Sequence, residues 1–298
     1  MKTALVLGGT RFFGVNLVES LLQKGVKVTI GTRGETTDSF GDRVDRIKLD
    51  RFDKASLMEE TVGRAWDVVF DQICYASHDA SIAIDAFKDK VQHYVFTSTL
   101  SVYGFLDHTC QEEDFDPYTY PISYVKSENV SYQEGKRQAE AVFFQHAPFS
   151  VTAVRIPIVL GEQDYTKRLL FHVDKVLHEE GIGLPNQEAE MNFISQQEAG
   201  AFLAWCGENR LNGPVNACAN DSISLQDLIR LIEGVVDKKA KIMTTITDEN
   251  ASPYGVEQSW TMSNERATAW GYTFTNLQSW LPSLIQYLAK EKENIKLT

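Results

Sequence analysis

The sequence predicts an α/β fold, a doubly wound parallel sheet with a smaller mixed C-terminal lobe. Three observations carry this reading. Short β-rich runs alternate with helical patterns through the first half, a glycine-rich turn joins the first strand to the first helix, and the alternation loosens after Gly161.

Thr3–Leu7 reads TALVL, a strand that ends at Gly8-Gly9. Residues 16–24 carry Leu17, Val18, Leu21 and Leu22 at helical spacing, and Gly25 stops that helix. Further strands are expected over 26–31, 46–49, 67–74, 93–98 and 151–156, with helices over 80–87 and 127–146. Strands alternating with helices imply crossover connections, hence a parallel sheet covered on both faces. Beyond Gly161 the spacing predicts helices near 167–179, 196–206, 225–236 and 276–291, and a strand at 215–218.

Composition narrows the function. Hydrophobic residues make up 43 %, an ordinary proportion for a globular chain, and every apolar stretch is strand-length, well short of a membrane span. The opening MKTALVLGGT runs into a glycine turn too early for a signal peptide, so it reads as a first strand. A net charge of −12 without a Lys/Arg cluster argues against nucleic acid as the main ligand. The four cysteines stand far apart with no C-x-x-C, which suits reduced, buried thiols in a cytoplasmic protein.

Gly8-Gly9-Thr10-Arg11-Phe12-Phe13-Gly14 lies between the first strand and the first helix. At that position a tight turn brings backbone N–H groups and a positive helix end against a pyrophosphate, the signature of a Rossmann-type dinucleotide site. Arg11 stands where the common spacing has a third glycine, and its guanidinium can reach a phosphate. The second strand ends in Thr32-Arg33-Gly34, without the acid that NAD-binding folds place on the ribose; Arg33 suits a 2′-phosphate instead. Together the two arginines favour NADP over NAD. Asp50, at the end of the third strand, is suited either to the adenine amino group or to a simple turn. The expected division is a nucleotide-binding domain over 1–165, completed by a return segment near 190–218, and a substrate lobe over 166–298. Asp71, inside the fourth strand, is costly there unless a cation pairs with it or it lies at the cofactor's rim.

Tyr132-Gln133-Glu134-Gly135-Lys136 puts a tyrosine and a lysine on one helix face. A free phenol is a poor base at neutral pH, and a neighbouring ammonium favours the phenolate. Such a pair can exchange a proton with a substrate hydroxyl while hydride moves to or from a nicotinamide.

These segments resemble the extended short-chain dehydrogenase/reductases, the NAD-dependent epimerase/dehydratase family, over nearly the whole chain. GGTRFFG is similar to that family's glycine turn, YVFTSTLSVYG (94–104) to its fifth strand and following loop, and YQEGKRQAE (132–140) to its catalytic helix. RIPIVLGEQD (155–164) resembles the segment that touches the nicotinamide, here through Pro157 and Ile158. NFISQQEAGAF (192–202), GPVNACANDSISLQDLI (213–229) and WTMSNERATAWGY (260–272) match later landmarks. The resemblance implies that Thr99 binds the substrate's reacting oxygen, Tyr132 is the acid/base, and Lys136 holds the ribose and tunes Tyr132. It also implies a small-molecule substrate, sugar-like or a nucleotide sugar, acted on by an epimerase or a reductase, and a homodimer paired through helices flanking the sheet.

Four positions depart from the pattern. Leu100-Ser101 replace the Asp-Glu pair of the dehydratases, Met191 stands where many nucleotide-sugar members carry a diphosphate-gripping Arg, and Pro157 replaces the Asn of several epimerases. Lys167 and Arg168 are either the substitute anion contact or a solvated helix face. GGTRF with DVVFDQICY (67–75) also resembles an atypical subgroup that contains chloroplast stem-loop RNA-binding proteins. That supplies the competing reading, a non-catalytic RNA-binding or regulatory protein on the same scaffold, against which the net charge and the complete Thr/Tyr/Lys set both weigh.

Overall fold

The architecture is that of a computed structural model, which describes residues 1–295. The chain runs β1 (Thr3–Leu7), α1 (Phe13–Gln23), β2 (Lys27–Thr32), β3 (Asp45–Lys48), α2 (Lys54–Glu60), β4 (Trp66–Asp71), α3 (Ser77–Phe87), β5 (Val91–Thr99), α4 (Tyr132–His146) and β6 (Ser150–Ile156). The second half holds β7 (Ile158–Leu160), α5 (Arg168–Leu177), β8 (Gly181–Gly183), β9 (Glu190–Ser195), α6 (Gln196–Asn209) and β10 (Gly213–Asn216). It ends with β11 (Ser222–Ser224), α7 (Leu225–Val236), β12 (Lys241–Met243), α8 (Glu265–Ala269) and α9 (Leu281–Ile295).

Seven parallel strands form the main sheet in the order β10-β6-β5-β4-β1-β2-β3. Side chains alternate across it, as a strand's period of two requires. Ala4 and Val6 of β1 enter a core with Leu17, Val18 and Leu21 of α1 and Phe202 and Leu203 of α6. Leu5 and Leu7 enter the opposite core, with Leu57 of α2, Ala83 and Phe87 of α3, and Val142 and Phe143 of α4. Both faces are thus sealed by helices, as the sequence predicts.

The strand order reverses at β1: β2 and β3 lie on one side of it, β4, β5 and β6 on the other. Leu7 pairs with Asp71, so the ends of β1 and β4 open side by side at this switch point. In open α/β sheets, the crevice beyond the strand ends at the switch point is where ligands bind.

The lobe has its own core, in which Val173 and Val176 of α5 meet Leu228 and Ile232 of α7 and Leu281 and Ile285 of α9. Its strands form a three-stranded sheet in the order β11-β9-β7 and a two-stranded one, β12-β8. β10 joins the edge of the main sheet, parallel to β6. All four cysteines are buried and unpaired, and no helix of the described residues is long and apolar enough to cross a membrane.

Candidate active site

At the end of β1, Gly8 (φ 95°) and Gly9 (φ 90°) turn the chain through left-handed backbone, which glycine adopts without strain. Gly14 then packs so closely that a Cβ there would lie 2.9 Å from the Gly9 Cα. Phe12 also has positive φ, 51°, although it is bulky and directly precedes α1. Such a residue stores strain of order 1–3 kcal/mol, and it is held by edge-on contacts to Phe13 (5.4 Å) and Tyr165 (6.0 Å).

A cavity of about 380 Å³ opens over this turn. Gly8, Gly9, Thr10, Arg11, Phe12 and Phe13 line it, with Arg33 and Asp50 from the ends of β2 and β3. Arg11 Nη2 donates to Thr36 Oγ1 at 3.1 Å, and Arg33 pairs with Glu35 at 2.9 Å across an exposed surface. Exposed pairs of that kind contribute little, so both guanidiniums are cheaply released to an anion. Asp50 Oδ1 accepts the Phe52 N–H, the turn the sequence allowed, while the residue still faces the cavity.

A second cavity, about 590 Å³, is bordered by Thr99, Tyr132, Lys136, Pro157 and Ile158. Phe12, Phe13, Gln72, Tyr75 and Tyr165 border both cavities, which therefore adjoin along the sheet's carboxyl edge. Thr99 is the last residue of β5, and its Oγ1 accepts the Ser101 N–H at 3.1 Å. Tyr132 is the first residue of α4, begun by the Ser131 hydroxyl, and is 54 % exposed toward the cleft.

Lys136, one turn further along α4, is 2 % exposed. Its ammonium donates to the carbonyls of Cys74 (2.7 Å) and Thr97 (2.8 Å), and so ties α4 to the ends of β4 and β5. It lies 4.9 Å from the ring centre of Tyr75, 4.8 Å from that of Phe96 and 5.8 Å from that of Tyr132. Gly135 makes this approach feasible, because a Cβ there would fall 2.5 Å from the Tyr75 carbonyl oxygen.

Tyr75 is the site residue that sequence reasoning missed. Its ring stacks on Phe52 at 6.2 Å, lies 6.5 Å from the Tyr132 ring and borders both cavities. Burial pushes its phenol up, which keeps it neutral. The available signal was an aromatic residue just past a strand end, in DQICY.

Asp71 resolves as a paired group. Its Oδ2 accepts from Arg51 Nε (2.8 Å), Arg51 Nη2 (2.6 Å) and Tyr94 Oη (2.6 Å), all buried. Of the two cations near the start of α5, Arg168 borders the second cavity and Lys167 does not. Met191 also borders it but is 2 % exposed. Its neighbour Asn192 spends its side-chain oxygen on the Met262 N–H, at 2.6 Å.

Residues 4–196 match the NAD dependent epimerase/dehydratase family. A curated relative, the chloroplast stem-loop binding protein of 41 kDa b of Arabidopsis thaliana, is 25 % identical over 227 residues, 70 % of this chain. The chain spans 56 % of that relative's length. Among solved structures, the UDP-glucose 4-epimerase of Thermus thermophilus in complex with NAD superposes with a TM-score of 0.70 at 17 % identity, over 97 % of this chain and 98 % of that one. The dTDP-glucose 4,6-dehydratase of Bacillus anthracis in complex with NAD gives 0.74 at 16 %, over 98 % of each chain. At such identities the likeness is one of fold. The family match, which covers both the glycine turn and the Tyr132–Lys136 helix, goes further: this chain belongs to the NAD-dependent epimerase/dehydratase family, enzymes of the extended short-chain dehydrogenase/reductase type.

Proposed function

We propose that the chain is a nicotinamide-dependent epimerase or reductase that acts on a hydroxyl or carbonyl of a sugar-like substrate. The observation that carries this is the shared wall: Thr99, Tyr132 and Lys136 border one cavity, and that cavity adjoins the one built over the glycine turn. The residues fit a dinucleotide. The turn's glycines leave room for a pyrophosphate against the positive end of α1. Arg11 and Arg33 would take a 2′-phosphate, which makes NADP the favoured cofactor over NAD, and Asp50 faces the same cavity. Pro157, Ile158 and Lys136 would flank the nicotinamide end.

When bound, a nicotinamide supplies or accepts hydride. Tyr132 exchanges the proton with the substrate oxygen, and Thr99 orients that oxygen by a hydrogen bond. Lys136, fixed by two carbonyls, sets its ammonium 5.8 Å from the centre of the Tyr132 ring. Tyr132→Phe is expected to lower kcat by at least 100-fold with NADPH binding intact. Unchanged turnover would remove Tyr132 from the chemistry. Net consumption of free NADPH marks a reductase; turnover without it marks an epimerase.

The curated relative supports a second reading, an RNA-binding role on this scaffold. The net charge of −12 opposes it. Retardation of a stem-loop RNA at physiological salt, in a protein that binds neither NADPH nor NADH, would favour it.

A further inference from the structure

The ammonium of Lys136 has three N–H bonds to give. Two go to the carbonyls of Cys74 and Thr97, and the rest of its surroundings is aromatic. The ring centres of Phe96, Tyr75 and Tyr132 lie 4.8, 4.9 and 5.8 Å away. Phe96 is wholly buried in the core, so the rings on the cleft side are Tyr75 and Tyr132, which both border the second cavity. A cation over a ring face is attracted by the electron-rich centre, and the more so where water is excluded, as it is at this 2 % exposed side chain. A ligand in the cleft therefore reaches the third N–H only by displacing one of those two rings.

Tyr75 is the ring placed to move. Its backbone is fixed on both sides. The N–H groups of Tyr75 and Ala76 donate to Asp79 Oδ2 at 2.9 and 3.1 Å, and the Tyr75 carbonyl packs against Gly135. The side chain is held far more loosely. Among the described residues no hydrogen bond holds its hydroxyl. What keeps the ring is its stacking on Phe52, with the planes 16° apart, and its face toward the ammonium. Phe52 is itself 42 % exposed. Burial keeps the phenol neutral, so the ammonium meets a ring face and not an opposite charge. Such contacts are individually weak, and rotation about the side chain's own bonds breaks them without disturbing the main chain.

Position separates the two rings as well. Tyr75 borders both cavities, whereas Tyr132 borders only the second. Any ligand long enough to occupy both passes Tyr75.

From this arrangement we propose that Tyr75 is a gate between the two cavities, whose ring turns away from Lys136 and Phe52 as a dinucleotide crosses and so frees the third N–H of Lys136. The inference rests on the reading of the two cavities as a dinucleotide site and adds how that site opens. The ammonium serves either as the latch for the ring or as a donor to the ligand, and the two uses exclude each other. Affinity for a ligand that spans the junction is then reduced by the fraction of molecules whose ring is open.

Titration of the full-length protein with NADPH, followed by nucleotide fluorescence, and with adenosine 2′,5′-bisphosphate, followed by calorimetry, tests this. The bisphosphate carries the adenine end alone and does not cross the junction. Tyr75→Ala should bind NADPH about five-fold or more tighter than the wild type, with affinity for the bisphosphate unchanged. A five-fold gain corresponds to an open form of about one fifth in the wild type. Tyr75→Phe keeps the ring face and should stay within about two-fold of the wild type. If Tyr75→Ala does not fold, Tyr75→Leu, which keeps most of the bulk but offers the ammonium no ring face, should gain about three-fold or more. NADPH binding that is equal or weaker once the ring is gone, a gain shared by the bisphosphate, or a Tyr75→Phe that behaves like Tyr75→Ala overturns the gate. A wild type and variants that bind neither nucleotide would instead overturn the cofactor reading, so the two failures are distinguishable.

Discussion

Asp71 and Arg51 illustrate how a single pair is judged by its surroundings. Both are buried: the carboxylate holds Arg51 by two bonds and Tyr94 by a third, while Arg51 Nη1 is left without a hydrogen-bond partner. Desolvation opposes the guanidinium's charge, but the carboxylate beside it prevails and its pKa is raised. Removing one partner strands the other charge, so Asp71→Leu should lower the unfolding free energy by about 3–5 kcal/mol. The double variant Asp71→Leu with Arg51→Met should recover most of that loss in urea unfolding. If it does not, the pair contributes more than mutual neutralisation. The sequence left Asp71 either paired with a cation or at the cofactor's rim, because a lone carboxylate is costly in a central strand. It did not show which cation, since Arg51 stands in the turn between β3 and α2 and meets Asp71 only once the sheet is assembled. Tyr75 escaped notice for a similar reason, because its proximity to Lys136 arises from packing between α4 and the end of β4.

At the scale of elements, α4 is the piece on which the proposed chemistry depends. The sequence pattern suggested a helix over 127–146, yet residues 127–129 form a separate single turn and the α-helix starts at Tyr132. The reason is legible in retrospect. Ser131 and Glu134 have the spacing of a helix cap, and the Ser131 hydroxyl accepts the Glu134 N–H at 3.3 Å. That start sets Tyr132 at the helix mouth and Lys136 one turn inside, beneath Tyr75. Gly135 fixes the depth of approach. Gly135→Ala forces its methyl against the Tyr75 carbonyl, which is backbone and cannot swing aside. The expected result is a loss of roughly 1–3 kcal/mol of stability and a fall in kcat larger than any rise in KM, because α4 moves relative to β5. Wild-type kinetics in Gly135→Ala would show that the approach is not needed. Elsewhere the elements were read to within a few residues where periodicity was strong, as in α7 (Leu225–Val236). The lobe's strands β7, β8, β11 and β12 are three residues each, too short to carry a period, and went unread.

For the whole molecule, the parallel sheet was legible because alternating strands and helices allow few topologies, and the switch point beside β1 then located the cleft. Stability of the whole also has a pH dependence set by two buried histidines. His93 and His172 both have pKa values lowered from 6.5 to about 4, in each case chiefly by burial. A histidine kept neutral in the fold is free to take up a proton when unfolded. The stability it allows is complete above pH 6.5 and is lost as pH falls toward 4, where the native imidazole also protonates. By pH 5 each contributes a loss of about 2 kcal/mol. Glu112 and Glu198, raised mainly by burial, act in the opposite sense, since their protonation becomes easier to accommodate as pH falls through their raised values. The histidine contribution is therefore best read as a difference. His172→Phe preserves a ring against Tyr254 but gives up the bond from Ser252, so it should be less stable at pH 7. Its decline from pH 7 to pH 5 should nevertheless be shallower than that of the wild type by about 2 kcal/mol in urea unfolding. Parallel declines would mean that His172 binds protons equally in both states, which its burial and its Nδ1–H and Nε2 hydrogen bonds argue against.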